Sequence, residues 1–330
     1  MTRRVLLTGA SGFAGSHVLR HLLTETDWQI VCPVTFRHRG NSDRIASSLQ
    51  GNDGWHRRVS VVMHDLTAPL PARTGRCDYV IALASESHVD RSIADPAPFI
   101  RNNVDVMLST LGYAAAAAPE AVLVFSTDEV YGPLAGDGLH AEWSPVLPSN
   151  PYAASKAAQE AIAVSYWRTY GVPVVIVNSM NLVGEMQDPE KFLPMAVSRI
   201  RHGQTVTIHG VPGDIGSRFF IHARNVADAL MFILGTTPAA FPAAGRPDRY
   251  NVVGERLTNL ELAEMAAGII GRPLRYELTD FHSARPGHDP HYGLDGSKLA
   301  ALGWKPPLDF AESLARTVRW SLDHPEWLTA

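Results

Sequence analysis

Residues 126–132 (STDEVYG) place a threonine hydroxyl beside two adjacent carboxylates, directly after the apolar run 122–125 (VLVF). An apolar run of this length predicts a buried strand, and ligand-binding groups of α/β proteins lie just past the carboxyl ends of such strands. In an extended segment, the side chains of Asp128 and Glu129 project in opposite directions. We therefore expect the two carboxylates to serve two different atoms of one substrate. A solvated acidic turn is the alternative reading.

Tyr152 and Lys156 form a second reactive pair. Pro151 after a polar cap predicts a helix that starts here, continues to Tyr170 and ends at Gly171. Residues four apart lie on one helix face, and a nearby ammonium favours the phenolate. We therefore expect the Tyr152 phenol to have a lowered pKa and to act as a base. The spacing alone is common on helices, but its place after the Ser-Thr strand end favours a catalytic role.

A Gly-x-x-Gly-x-x-Gly turn lies between a first strand at 5–7 and an amphipathic helix. Glycines let the backbone approach a pyrophosphate, whose charge is met by the helix N-terminus. The turn therefore predicts a dinucleotide site. Its cofactor contacts are expected at Gly9, Ser11, Gly12, Phe13, Ala14 and Gly15.

The second predicted strand, 29–34, lacks the acidic residue that binds an unphosphorylated ribose at its end. Arg37 and Arg39 follow instead, and guanidinium groups can accept the 2′-phosphate of NADP. A solvated basic loop explains these arginines equally well, so NAD and NADP both stay open. Asp43 lies too far along the chain to replace the missing acid.

Further cofactor contacts are expected after the third and fourth strands. Asp65 and Leu66 follow the strand at 59–63, where they could border the adenine ring. Ala84 ends the strand at 78–84, at the same edge of the predicted sheet.

Strands alternate with helices through the first half of the chain, up to a sixth strand at 172–178. This alternation predicts an α/β fold with a Rossmann-type, doubly wound parallel sheet. We expect residues 1–178 to form the dinucleotide-binding domain, which carries the catalytic residues. Residues 179–330 are expected to form mainly a smaller α/β substrate domain, from which the chain can cross back once.

Composition narrows the class of protein. The chain has 330 residues, of which 45% are hydrophobic and 19% charged, with a formal net charge of -4. No basic tract indicates nucleic acid, and no apolar run reaches membrane-spanning length. Cys32 and Cys77 lie in or beside strand-like runs, which predicts buried free thiols in a reducing compartment. Because the first apolar stretch is too short for a signal peptide, we expect a cytoplasmic protein.

Taken together, the motifs resemble the nucleotide-sugar 4,6-dehydratases of the extended short-chain dehydrogenase/reductase superfamily, above all those that act on dTDP-glucose. The adjacent Asp128-Glu129 pair discriminates most, because related epimerases and decarboxylases typically lack it. The resemblance extends over nearly the whole chain. Besides the glycine turn, 126–132 and Tyr152/Lys156, it includes 86–92 (ESHVDRS), 189–194 (PEKFLP), 285–289 (RPGHD) and 302–306 (LGWKP).

The resemblance implies a role for each catalytic residue. Thr127 would bind the sugar 4-hydroxyl while Tyr152, assisted by Lys156, takes its proton, and hydride passes from C4 to a tightly bound, recycled NAD or NADP. Glu129 would then remove the C5 proton and Asp128 would protonate the departing 6-hydroxyl. Hydride return to C6 makes the net reaction a loss of water. For this role Asp128 should stay protonated near neutrality, as a desolvated site beside a second carboxylate allows.

The resemblance also implies that the second domain grips the nucleotide diphosphate and that the protein is a homodimer, formed through the helices that carry Asn103 and Tyr152. His288 and His291 suggest no metal site, because nothing near them completes a ligand set. Substrate contacts are expected at Ser87, His88, Asn181, Lys191, Arg218, Arg285 and His288.

Some segments depart from the family pattern. Residues 181–185 (NLVGE) stand where dTDP-glucose enzymes have Asn-Asn-Tyr-Gly-Pro, 217–222 (SRFFIH) replace an Arg-Asp-Trp-type segment, and His209 replaces a tyrosine. These differences concern substrate recognition, so a UDP- or GDP-sugar stays open. A UDP-sugar 4-epimerase or decarboxylase is the alternative enzyme, and a non-catalytic NADP-binding sensor is the alternative outside enzymes.

Overall fold

The computed structural model describes residues 2–37, 39–134, 138–213, 215–236, 245–280 and 291–329. Its strands are β1 (Arg4–Thr8), β2 (Gln29–Val34), β3 (Val59–Met63), β4 (Tyr79–Ala82), β5 (Ala121–Thr127), β6 (Val174–Ser179), β7 (Asn181–Val183), β8 (Val206–His209), β9 (Ser217–His222), β10 (Asp248–Val252), β11 (Glu255–Thr258) and β12 (Tyr276–Thr279). Its helices are α1 (Phe13–Glu25), α2 (Ser42–Ser48), α3 (Val89–Ala94), α4 (Pro96–Ala117), α5 (Pro151–Tyr170), α6 (Phe192–Arg201), α7 (Ala223–Gly235), α8 (Asn259–Ile270), α9 (Ser297–Ala301) and α10 (Phe310–Asp323).

Seven parallel strands form the central sheet, in the order β10-β6-β5-β4-β1-β2-β3. The order reverses at β1, which pairs with β2 on one side and β4 on the other. In open α/β sheets, ligands bind at such a reversal, outside the carboxyl ends of the strands. The predicted doubly wound Rossmann-type sheet is confirmed.

Alternation along the strands explains how the sheet is covered on both faces. Val5 and Leu7 of β1 belong to a core shared with α1 and α7, whereas Leu6 faces a core shared with α4 and α5. Strands buried on both faces must be apolar along their whole length. This accounts for the continuous run in β5, where Val122, Leu123 and Val124 are at most 1% exposed.

The chain beyond β6 builds a second, smaller group of elements around its own core. A three-stranded sheet of order β11-β9-β7 and a parallel pair of β8 with β12 pack with α6, α8 and α10. Between these elements, β10 returns to the central sheet and pairs with β6. A segment from far along the sequence therefore completes the central sheet beside β6.

The thiols of Cys32 and Cys77 are free and buried, as the sequence predicts. Burial raises the pKa of Cys32 to about 12, so this thiol is inert. No helix in the described part of the chain is long and apolar enough to cross a bilayer.

Candidate active site

A cavity of about 600 Å³ opens at the carboxyl edge of the central sheet. Every predicted site residue within the described ranges lines it, whereas Arg285 and His288 lie outside those ranges. The structure thus brings together side chains from five strand ends and from the second group of elements. The predicted residues along its wall are Gly9, Ser11, Gly12, Phe13, Ala14, Gly15, Arg37, Arg39, Asp65, Leu66, Ala84, Ser87, His88, Thr127, Asp128, Glu129, Tyr152, Lys156, Asn181, Lys191 and Arg218.

The acidic pair lies on a 3₁₀ turn, Asp128–Tyr131, and not in the extended segment expected from the sequence. β5 ends at Thr127, whose hydroxyl donates to Asp128 Oδ1 at 2.9 Å. Glu129 Oε2 accepts a hydrogen bond of 2.9 Å from Asn150 Nδ2. The expectation of an extended segment was wrong, because the backbone curls into a 3₁₀ turn after the strand. Both carboxylates line the same cavity. They still differ in environment, since each has its own hydrogen-bond partner.

Burial makes the carboxyl group of Asp128 a weaker acid than an ordinary aspartic acid. Its side chain is 4% exposed, and desolvation together with the charge of Glu129 raises its pKa to about 7. The hydrogen bond from Thr127 opposes this shift only in part. Asp128 therefore holds a proton close to neutrality, which suits a general acid.

Tyr152 and Lys156 both face the cavity from α5, but the lowered pKa expected for the phenol is wrong for this structure. Burial, followed by the charge of Glu129, raises the pKa of Tyr152. The ammonium of Lys156 instead donates to the carbonyl of Phe125 at 2.8 Å and to the side chain of Gln159. Burial lowers the pKa of Lys156 to about 8.

The glycine turn forms a tight cradle against the start of α1. Gly12 N–H donates to the Gly9 carbonyl at 2.9 Å, and a Cβ on Gly15 would lie 1.9 Å from that oxygen. Gly9 has φ +76°, and a Cβ there would also meet the backbone of Ala84 at 2.9 Å. The first turn of α1 holds no acidic side chain, so its N–H groups are available to an anion. The cradle therefore fits a dinucleotide pyrophosphate.

Gly15→Ala is expected to destroy cofactor binding. The new methyl group would clash with the backbone of Gly9 and Ala10 in the turn after β1. Because the clash is with backbone atoms, no change of side-chain rotamer can relieve it. Gly268→Ala is the matched control, because a Cβ at this exposed position of α8 meets nothing within 4 Å. The control should gain about 0.5–1 kcal/mol of stability. Calorimetric titration with NAD and thermal melting would measure both effects. NAD affinity unchanged in Gly15→Ala would refute the assigned cradle.

Both arginines after β2 are paired with carboxylates. Arg37 forms an ion pair with Asp65, and Arg39 forms one with Glu190. The Asp65 carboxylate also accepts from Thr67 N–H and Oγ1, which together with Arg37 lowers its pKa. The positive charges of both arginines are therefore already matched by negative charge.

On the substrate side, Lys191 Nζ donates to the Ser87 carbonyl at 3.0 Å and thus joins the second group of elements to the loop after β4. The Arg218 guanidinium lies over the ring of Tyr292, 4.7 Å from its centre. Asn181 donates to the Phe219 carbonyl at 3.4 Å. These contacts hold cationic and amide groups along the wall opposite the glycine cradle.

Two site residues were missed by reasoning from the sequence. Asn150 was taken only for a polar helix cap; it does cap α5 by accepting from Ala153 N–H, but its amide also holds Glu129. Glu190 was noted only as part of a family motif, yet it faces Arg39 and lies 3.5 Å from Arg91. An Asn-Pro helix start signals the cap, whereas no local signal reveals either side-chain partner.

Comparison with known proteins places this geometry in a family. The model for the NAD dependent epimerase/dehydratase family matches residues 5–252. The chain belongs to this family. It is 34% identical over 338 residues to the dTDP-glucose 4,6-dehydratase of Actinoplanes sp., covering 99% of this chain and 100% of that protein. The low-salt glycan biosynthesis protein Agl12 of Haloferax volcanii is 33% identical over 325 residues, covering 98% of this chain and 99% of that protein.

The family also includes solved structures with the same fold. The dTDP-glucose 4,6-dehydratase DesIV of Streptomyces venezuelae, crystallised with NAD and dTDP, superposes with a TM-score of 0.86 at 34% identity. The match covers 98% of each chain. The predicted resemblance to nucleotide-sugar 4,6-dehydratases is confirmed.

Proposed function

We propose that this protein is a nucleotide-sugar 4,6-dehydratase that converts dTDP-glucose to its 4-keto-6-deoxy product. The observation that carries the proposal is the placement of Asp128 and Glu129 in one cavity with Thr127, Tyr152 and the glycine cradle. An acid with its pKa near neutrality and a separately held carboxylate are what a water elimination needs. The full-length relatives that carry this activity support the substrate.

NAD is the proposed cofactor, in agreement with the family and with the NAD-bound dehydratase structures. When bound, it accepts a hydride from the sugar and later returns it. The Gly9–Gly15 turn would hold its pyrophosphate, and the end of β3 at Asp65 and Leu66 would border its adenosine half. Lys156, held by the Phe125 carbonyl, also lines the cavity and would supply positive charge to the cofactor.

The oxidation step is assigned to Thr127 and Tyr152. The Thr127 hydroxyl would orient the sugar 4-hydroxyl, and the phenolate of Tyr152 would take its proton. Burial raises the pKa of this phenol, so its own proton must be lost before it can act as the base.

The elimination step is assigned to the acidic pair. A 4-keto group acidifies the C5 proton, which Glu129 would remove. The hydrogen bond from the Asn150 amide would hold the Glu129 carboxylate in place for this step. Asp128 would donate its proton to the 6-hydroxyl, which leaves as water. Glu129 would return its proton to C5 as the hydride returns to C6. The proton that Tyr152 takes from the 4-hydroxyl balances the one that Asp128 loses with the water, and exchange with solvent resets these two groups.

Turnover is expected to fall as the pH rises through about 7, because Asp128 must be protonated to act. The folded chain keeps this proton to about pH 7, whereas an unfolded aspartic acid loses it near pH ~4. The contribution of Asp128 to stability therefore also decreases as the pH rises between these values. Profiles of kcat against pH for the wild type and Asp128→Asn would test this. A falling limb that persists in the variant would assign the titration to another group.

NAD is expected to bind more tightly than NADP, because Asp65 and Glu190 already neutralise Arg37 and Arg39. Asp65→Asn should reduce the preference for NAD over NADP, because it frees Arg37 to bind a 2′-phosphate. Titration of the cofactor-free protein with both dinucleotides measures the ratio. Tighter NADP binding by the wild type would contradict this assignment.

The deciding experiment is incubation with dTDP-, UDP-, GDP- and CDP-hexoses, followed by mass spectrometry. Loss of one water from dTDP-glucose supports the proposal, and the same loss from another hexose would move the substrate assignment. A product of unchanged mass would assign the protein to the 4-epimerases. Tight cofactor binding without turnover of any sugar would favour a sensor.

We also propose that residues 1–178 form the cofactor domain and 179–330 mainly the substrate domain, with β10 as the returning strand. A cytoplasmic homodimer through α4 and α5 is the proposed form. The two helices pack side by side, and Leu108 of α4 remains 41% exposed. Light scattering on the purified chain would test the dimer.

A further inference from the structure

A second cavity of about 560 Å³ lies apart from the candidate active site and shares no lining residue with it. Its walls come from α1, the segment after α2, the 185–186 loop, the first turn of α7, and α10. Charged and aromatic side chains dominate the lining, among them Arg20, Arg224, Arg316, Glu25, Glu185 and Trp320. The proposed dehydration uses none of them.

The base of this cavity holds His17 and Glu185 next to His222, with ligating atoms within 4.8 Å of one another. Their hydrogen bonds disfavour a cation. Arg224 N–H donates to His222 Nδ1 at 3.1 Å, so Nε2 carries the proton and donates to Glu185 Oε2 at 3.1 Å. His17 Nε2 donates to the Glu185 carbonyl at 3.0 Å, and burial keeps His17 neutral by lowering its pKa to about 4. The nitrogens that a metal would need are thus protonated.

The positive charge of the arginines that line the second cavity exceeds the negative charge of the carboxylates that line it. Glu185 is matched by His222 N–H and by Arg316 Nε, which lies 2.8 Å from its second oxygen. Within the described part of the chain, the half-buried Arg224 guanidinium has no hydrogen bond or ion pair. Arg20 donates to carbonyl oxygens after α2, which satisfies its N–H groups without cancelling its charge.

The arginines also disfavour one another. Burial and the charge of Arg316 lower the pKa of Arg224, and the carboxylates of Glu185 and Glu312 offset this only in part. Burial and Arg316 lower the pKa of Arg20 as well. An anion between these guanidiniums would relieve their repulsion and complete the unmet hydrogen bonds of Arg224.

A flat aromatic wall accompanies the cationic one. Trp320 lies one turn after Arg316 on α10 and lines the cavity. Its indole stacks on His324, with ring centres 4.2 Å apart and planes 10° apart. This stacking fixes the indole, so that the ring offers a rigid surface to a planar group.

We propose that the second cavity binds a nucleoside diphosphate, with Arg224 and Arg316 holding the diphosphate and Trp320 packing against the base. The cavity is large enough for a ligand of this size. It joins His17 of α1, the helix that opens the cofactor cradle, to Glu185 on the segment that leads to Lys191. An occupant would therefore contact two segments that lead to residues of the active site. This inference does not depend on the substrate of the enzyme.

Calorimetric titration of the NAD-loaded protein with inorganic pyrophosphate and with ADP tests the proposal. Arg224→Gln/Arg316→Gln should weaken pyrophosphate binding by at least about tenfold, the scale of a lost charge-assisted contact. Arg218→Gln, which alters only the first cavity, should leave it unchanged. Trp320→Leu should weaken the binding of ADP and leave the binding of pyrophosphate unchanged. Glu25→Gln removes a lining carboxylate and should tighten both ligands, a gain that misfolding cannot imitate.

Absence of saturable binding to the NAD-loaded wild type would overturn the site. Equal binding by the double arginine variant would overturn it too, as would a loss confined to Arg218→Gln, since that loss places the anion in the active site. ADP binding that ignores Trp320→Leu would overturn the nucleoside assignment in favour of a simple phosphate ligand.

Discussion

Replacing Tyr152 by phenylalanine is expected to lower kcat by about 10³-fold, the scale of a lost acid-base group. The substitution removes only the phenolic oxygen, and the ring keeps its edge-to-face contact with Phe99. NAD affinity and the melting temperature should change little. Steady-state assays with dTDP-glucose would measure the loss.

Tyr170→Phe is the matched control for that variant. Tyr170 ends the same helix but is 62% exposed, so its hydroxyl is far from any described catalytic group and kcat should be unaffected. A Tyr152→Phe enzyme with nearly unchanged kcat would remove the phenol from the mechanism. A comparable loss in both variants would indicate damage to the helix and not to the chemistry.

The second large effect that we expect is that substitution of either residue of the acidic pair blocks elimination but not oxidation. Asp128→Asn and Glu129→Gln should each lower dehydration by about 10²–10⁴-fold, because each removes one proton transfer and leaves the hydride step intact. In both variants the absorbance of reduced cofactor should persist after substrate is added. In deuterated water, Asp128→Asn should still exchange the C5 hydrogen through Glu129, whereas Glu129→Gln should not.

An exposed carboxylate supplies the control for this pair. Glu255→Gln on β11 removes the same charge at a residue that does not line the cavity. This variant should dehydrate dTDP-glucose at the wild-type rate. If Asp128→Asn loses C5 exchange while Glu129→Gln keeps it, the two roles are reversed. Full dehydration by either variant would assign the elimination to other groups.

The catalytic turn depends on support from a distant strand. Arg249 of β10 is 2% exposed and donates to the Tyr131 hydroxyl at 3.0 Å and to Glu160 at 2.6 Å. Glu160 in turn accepts from Asn178 at 2.8 Å. A buried cation is tolerated here because its partners are hydrogen-bonded on both sides. The returning strand thereby fixes the end of the turn that begins with Asp128.

Much of this architecture is encoded locally, and the sequence alone determined it. The glycine spacing requires a close turn, the two-sided apolar runs require buried parallel strands, and Asn150-Pro151 starts α5. Each depends on residues within a few positions of one another, so periodicity and backbone sterics suffice. The gathering of strand ends at one edge then follows from a parallel sheet, which explains why every predicted site residue in the described ranges lines one cavity.

The electrostatics depended on the tertiary structure. Sequence spacing predicted a lowered pKa for Tyr152 from Lys156, whereas the fold directs that ammonium to the Phe125 carbonyl and leaves the phenol beside Glu129. Likewise, the partners of Arg37 and Arg39 lie 28 and 151 residues away. A pKa or an ion pair is set by burial and by charges close in space, and neither can be read from neighbours in sequence. The sequence therefore determined which predicted residues line one cavity, and only the three-dimensional packing decided their protonation and their partners.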